Sequence, residues 1–439
     1  MIAGIVLTIL FSIMLLSNYK RIVVLIAMTV QLLSYIGTGI PSVKMYFALS
    51  ILAMLLYFPN KIRLSKDKYP KWLTAATIIF LLSFAITTIT SDYIHWQTVV
   101  VNAFAYFGFP FVLWKCLDSK KQVDYAIKAL VAIMTIATLI GAFEAFFRFN
   151  PVYNIMQSVL VSEDFSFDDD RVRYGLKRCN SIFAYFTTYG IATFMAFVTL
   201  YVKGFILKGK SRWLPYLMFL CAFASFSTGS RAIFLGLFLA LFMLLVEKRF
   251  LKTKTGIAII VISFLLLPVL LEVGYQVLDS MVNSDTSKYA SGSTSELRDM
   301  QWEICLPYFL NSPIVGNGRM YIWDTVKEAN YGLLGAESIW FSILVDYGLF
   351  GGFAFLFMIF ACCKHLYAYN LRLICLPIGY LLILSLSPDT GVTYNTILSF
   401  TVLILRMFQF SSFKNNDRNT ATIKRIPETG LQTLSSRRF

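Results

Sequence analysis

The chain has 439 residues, of which 57% are apolar and only 14% are Asp, Glu, Lys or Arg. A soluble domain carries about 25% charge and a disordered one needs low hydrophobicity, so both classes are excluded. The net charge of +15, from 39 basic and 24 acidic residues, would suggest nucleic acid in a soluble protein, so the placement of the charges decides what it means.

Apolar runs recur from end to end. Candidate spans lie near 2–17, 22–37, 43–59, 72–90, 97–114, 125–147, 179–202, 213–228, 231–246, 256–272, 337–361, 373–387 and 391–408. A crossing helix needs about 20 mainly apolar residues, and several runs are short, so the count is thirteen within a range of twelve to fourteen. The runs are continuous rather than alternating, which predicts an all-α membrane bundle and not a barrel. The first run lacks a basic flank before it and a small-residue cleavage site after it, and is read as a retained helix. Residues 1–410 are read as the polytopic domain. Residues 411–439 are polar and basic and are read as a disordered tail.

Basic residues concentrate in alternate connections: Lys20 and Arg21, the segment 60–71, Lys115 to Lys121, 203–212, 248–254, Lys364 and Arg372, and the tail from Arg406. The positive-inside rule places these and the C-terminus in the cytoplasm. The charge excess is therefore a topology signal, and no nucleic-acid partner is expected. Seven cysteines show no CxxC, and the two histidines, His95 and His365, are far apart, so no His-rich metal site is expected.

Two external loops are long enough for chemistry. The first, 148–178, holds apolar positions at Val152, Ile155, Met156, Val159 and Leu160 that predict a short interfacial helix. It continues into Asp168-Asp169-Asp170, which reads as a solvated turn in preference to a metal cluster, and then Arg171, Arg173, Lys177 and Arg178. The second, 273–336, contains the capping box Ser293-Thr294-Ser295-Glu296, a helix bearing Arg298 and Trp302 that Pro307 ends or kinks, and the glycine turn Pro313 to Gly318.

Four ionisable residues sit at membrane depth, where charge is costly and often functional. Arg231 follows Ser227-Thr228-Gly229-Ser230 in a turn too short for a soluble loop. A permanently charged guanidinium there suits a fixed anion such as phosphate. Glu144 lies four residues before Arg148, as in a structural i,i+4 pair. Glu337 opens the eleventh span, and Asp346 within it is a candidate for an internal pair.

These residues fall into a pattern. The segment Ser227 to Gly236, the stretch Arg298-x-x-x-Trp302 through Pro313-x-x-Gly316-x-Gly318, the stretch Glu337-Ser338 through Tyr347-Gly348-Leu349-Phe350-Gly351, and Arg178-Cys-Asn-Ser181-Ile-Phe183 resemble the motifs of the O-antigen polymerase and ligase family. The likeness covers about 180–350, and the first 140 residues match by hydropathy alone. The ligase branch usually has His where this chain has Glu337, which tilts the resemblance towards the polymerases.

The resemblance implies a GT-C-like glycosyltransferase bundle in the bacterial cytoplasmic membrane. Such an enzyme moves a glycan from a polyprenyl-pyrophosphate carrier to a hydroxyl of the next lipid-linked repeat unit at the outer face. It needs no metal or cofactor. Arg178, Arg231, Arg298 and Arg319 are the candidate pyrophosphate ligands, with Arg231 and Arg298 also stabilising developing charge. Glu337 is the candidate general base. Asp389 and Trp302 are weaker candidates, Asp389 because its Ser-Pro-Asp-Thr setting also reads as a turn. Expected partners are the lipid-linked oligosaccharide, the bilayer, a flippase and a chain-length regulator. The alternatives are a ligase that attaches finished polymer to an acceptor, and a lipid-linked oligosaccharide flippase or other secondary transporter. A transporter would show repeated spans and mid-membrane charge, whereas no clear repeat is evident and most of the charges crowd the external edge.

Overall fold

The computed structural model describes residues 2–38, 44–91, 103–159, 172–173, 176–209, 211, 213–245, 295–330, 337–387 and 392–420. The span near 256–272, His95, Asp168 to Arg171, the capping-box residues Ser293 and Thr294, Asp389 and the tail from residue 421 lie outside that set.

The described chain is overwhelmingly helical. Helix α1 (Ile2–Ser17) leads into α2 (Tyr19–Met28) and the short α3 (Val30–Leu33), so the expected second span is broken at Thr29. Then come α4 (Met45–Asn60), α5 (Lys71–Thr90), α6 (Phe109–Cys116, preceded by a π-helical turn Ala103–Gly108) and α7 (Lys120–Phe147). The predicted interfacial helix is α8 (Tyr153–Val159), whose Met156 and Val159 pack on Ala3, Leu7 and Leu32. A two-residue hairpin, β1 (Val172–Arg173) with β2 (Leu176–Lys177), follows. The chain continues through α9 (Phe186–Tyr201), α10 (Leu214–Ser227), α11 (Arg231–Leu245), α12 (Ser295–Asn311), the one-turn α13 (Lys327–Ala329), α14 (Ile339–Tyr367), α15 (Cys375–Ser385) and α16 (Thr393–Thr420).

Among the described residues, four helical segments are long and apolar enough to cross a membrane: Lys71–Thr90, Lys120–Phe147, Phe186–Ile206 and Ile339–Tyr367. Six further apolar helices there have 10–17 residues. The chain is therefore an all-α membrane protein. Outward faces bear Leu55, Ile78, Ile136, Phe219 and Phe353, all exposed, as hydrocarbon contact requires.

Two sequence expectations about helix ends need correction. The seventh span was expected from 179, but α9 starts at Phe186 because 178–185 is a loop held by hydrogen bonds to α7. Pro307 does not end α12, which runs on to Asn311.

The polar ends of the bundle are distinct. At one end the basic connections meet: Lys20 pairs with Asp118, Lys203 Nζ lies 3.1 Å from Asp124 Oδ1, and Ser65 N donates to Lys115 O at 3.2 Å. Arg406, counted with the basic residues of the tail although it lies within the span 391–408, is fully buried at this end. It stacks on Trp114 at 3.7 Å and donates to Asp67 Oδ2 at 2.6 Å and to Trp114 O at 2.9 Å. Both terminal nitrogens of the guanidinium are taken up this way, which offsets much of the cost of burying its charge, while Nε has no hydrogen-bond partner among the described residues.

A candidate functional site at the opposite end

The other end gathers the motif segments. Arg298 on α12 and Glu337, just before α14, meet there, with Nε and Oε2 4.0 Å apart. Both side chains are about one-third exposed, so the pair is open to a substrate. The backbone N–H of Glu337 donates to Oε1 of Gln301 at 3.3 Å. Gln301 is fully buried one helical turn from Arg298, so α12 presents the arginine and places the glutamate from one face. Sequence reading missed Gln301, although its i+3 spacing from Arg298 was visible. Trp302 is 40% exposed and lies tilted against Phe341, with ring centres 5.9 Å apart.

Arg231 opens α11, after a turn in which Gly229 adopts φ 62° and Ser230 N donates to Thr228 Oγ1. The first N–H groups of a helix have no intrahelical acceptor and carry partial positive charge, so Arg231 adds a full charge to an already positive terminus. Helices α11 and α15 pack closely through Gly236 and Gly379, where a Cβ on Gly236 would lie 3.2 Å from Gly379 O and 2.6 Å from the Ile383 side chain. The end of α15 also meets the start of α14, because Trp340 Nε1 donates to Ser385 Oγ at 3.0 Å. Arg231 and Glu337 thus stand at the starts of two helices that both pack on α15.

Arg178 is drawn further in than expected. Only 5% exposed, it lies 3.5 Å over the ring of Phe186 and donates from Nε to Thr228 O at 3.3 Å. The neighbouring Cys179 N donates to Ser227 O at 3.1 Å. Arg178 therefore braces the turn that presents Arg231. Arg319 also points inward. Its Nη2 donates to Tyr106 OH at 3.2 Å, and its guanidinium lies 5.8 Å from the Phe84 ring centre.

Glu144 differs from its sequence reading. It forms no ion pair with Arg148, which lies past the helix end at φ 57°, outside helical geometry. Its fully buried carboxylate instead accepts from Ser181 N at 2.8 Å, Asn180 N at 3.2 Å and Asn150 Nδ2 at 3.2 Å. Asp346 puts both its oxygens to work on backbone: Oδ2 accepts from Met320 N and Oδ1 from Ile322 N, both at 2.9 Å. It caps the turn that carries Arg319.

The same end of the multi-helix membrane scaffold thus carries both the arginine–glutamate pair and the cationic terminus of α11. Residues 216–356 match the family described as O-antigen ligase, which supports placing the chain in the O-antigen polymerase and ligase family. The matched segment holds Arg231, Arg298, Glu337 and Gly348, while Glu144 and Arg178 precede it. No curated protein matches the chain.

Proposed function

We propose that the protein is a surface-polysaccharide polymerase of the O-antigen or exopolysaccharide type. It takes a growing glycan from a polyprenyl-pyrophosphate carrier and transfers it to a hydroxyl of the next lipid-linked repeat unit, at the outer face of the bacterial cytoplasmic membrane. The observation that carries this reading is the half-buried contact between Arg298 and Glu337. It sets a base for an alcohol beside a cation for a phosphate.

In this scheme Glu337 accepts the proton of the acceptor hydroxyl as its oxygen bonds to the anomeric carbon. The bond from that carbon to the pyrophosphate oxygen breaks, and the electron pair leaves with the phosphate. Arg298 and Arg231 stabilise the charge that develops there, and the N-terminus of α11 adds its dipole. Guanidinium groups suit this role because they stay charged and bind two phosphate oxygens at once. No metal or cofactor enters the scheme. Arg178 braces Arg231, Arg319 supplies positive potential from within, and Trp302 offers an aromatic face to a sugar ring. Asp389 is a further candidate carboxylate.

The reading includes thirteen spans in a GT-C-like bundle, with the basic end and the C-terminus in the cytoplasm, and a flippase and a chain-length regulator as working partners. A ligase is the second reading, favoured by the description of the matched family. The absence of His from 273–336 and at position 337 speaks for the polymerase. Deletion of the gene and gel analysis of surface glycan separates the two. Loss of the ladder with one repeat retained on the acceptor is the polymerase result. Loss of every repeat from the acceptor is the ligase result.

A further inference from the structure

We infer that Glu144 is a positioning residue for the anion site, acting through the 178–181 loop on the turn that presents Arg231. The inference rests on the reading of Arg231 as a pyrophosphate ligand.

Glu144 sits in the last turn of α7, and no part of its side chain is exposed. A buried carboxylate is expensive unless hydrogen-bonded, and this one spends a single oxygen, Oε2, on three donors. Two of those donors are consecutive backbone N–H groups, of Asn180 and Ser181, so the carboxylate fixes a chain path and not merely a side chain. Ser181 adopts φ 56°, a left-handed conformation that a residue with a Cβ keeps only when its surroundings hold it. They do: its Oγ donates to Ala137 O at 2.6 Å, and its carbonyl accepts from Asn150 Nδ2 at 2.8 Å. Asn150 in turn donates to Glu144, so the carboxylate closes a ring of bonds around Ser181.

The same loop also reaches the Arg231 side. Cys179 N donates to Ser227 O, and Arg178 Nε donates to Thr228 O. Those two acceptors immediately precede Gly229, Ser230 and Arg231. The path from Glu144 to Arg231 is therefore continuous: carboxylate, loop backbone, two hydrogen bonds across to the turn, helix terminus. An apolar residue at 144 would fill the space yet leave the loop N–H groups without their acceptor, and the turn would lose its brace. Glutamine would keep one oxygen for both backbone donors.

The test uses the full-length protein in detergent and geranylgeranyl pyrophosphate as the probe, with affinity measured for wild type, Glu144→Leu, Glu144→Gln, Arg231→Ala and the double variant Glu144→Leu/Arg231→Ala. Glu144→Leu is expected to weaken binding by about tenfold, as loss of a charge-assisted contact at Arg231 would. Glu144→Gln is expected to stay within about threefold of wild type, since its acceptor remains. The double variant is expected to bind no more weakly than Arg231→Ala alone, because Glu144 acts through that residue. A parallel measurement needs no binding at all. In a background with the other six cysteines replaced, the buried Cys179 thiol is expected to resist labelling in membranes when position 144 is unchanged or carries Glu144→Gln, and to label in Glu144→Leu. Glu144→Asp, too short to reach both N–H groups, serves the same purpose should the leucine variant fold poorly. Wild-type affinity in Glu144→Leu, or additive losses in the double variant, would overturn the inference alone. Wild-type affinity in Arg231→Ala would overturn the reading of Arg231 on which it rests.

Discussion

Gly316 and Gly348 pack backbone against backbone, so closely that a Cβ on Gly348 would lie 2.7 Å from the backbone nitrogen of Gly316. Both take positive φ, 78° and 62°, and Gly348 breaks α14 at ψ −163°. The break lets Leu349 N and Phe350 N donate to Pro313 O and Ile314 O, at 2.8 and 3.0 Å. It thereby seats the loop that carries Arg319 in the body of the bundle. Gly348→Ala is expected to lower the thermal midpoint of the solubilised protein and abolish transfer, because the added methyl meets Ile314 and Gly316 backbone. The analogous Gly352→Ala, where the nearest neighbour is 3.7 Å away, is expected to be tolerated. Equal midpoints for the two variants would contradict this account of the break.

Asp346 holds the same loop. In Asp346→Asn one of two carboxylate oxygens becomes an amide, and one backbone N–H of Met320 or Ile322 loses its acceptor. The expected cost is about 1–3 kcal/mol of stability. Chemical denaturation of the solubilised variant checks it, and an unchanged midpoint would show that water replaces the bond.

At the opposite end, the hydrogen bond from Arg406 holds the Asp67 carboxyl below its ordinary range, against a smaller effect of burial. A carboxylate with a lowered folded value stabilises the fold above the unfolded value of about 4, and that contribution is lost as pH falls through the folded one. The thermal midpoint of wild type is therefore expected to drop more on acidification below about pH 4 than that of Asp67→Asn. Parallel pH profiles would mean that the pair adds nothing measurable, as exposed pairs often do.

Topology is open to a direct test. A reporter fused after residue 310 is expected to signal from the external side, and one fused after residue 120 from the cytoplasm. Both reporters on one side would remove the premise that the two polar ends face different compartments.

The apolar helices among the described residues were legible in the sequence because continuous hydropathy marks helices that can cross a bilayer. Arg231 and Glu337 stood out as candidates because charge at membrane depth is conspicuous, and Arg298 because its loop resembles a family motif. The partnerships were less visible. Glu144 has Arg148 at helical spacing, but α7 ends before Arg148 can share its face, and two of its three partners lie 36 and 37 residues on. The two bonds that Asp346 accepts come from backbone N–H groups, which satisfy a carboxylate well and carry no side-chain signature. Arg406 looked like tail charge because its acceptor, Asp67, is 339 residues away. Gln301, a neutral residue in a helix, stood out only once its bond to Glu337 was in view.

The most direct test of the central claim is complementation of a deletion strain with Arg298→Ala or Glu337→Gln, followed by gel analysis of the surface glycan. If this pair performs transfer, both variants reach the membrane at wild-type levels and give single repeats on the acceptor with no ladder above them. A ladder of normal length from both variants would contradict the account.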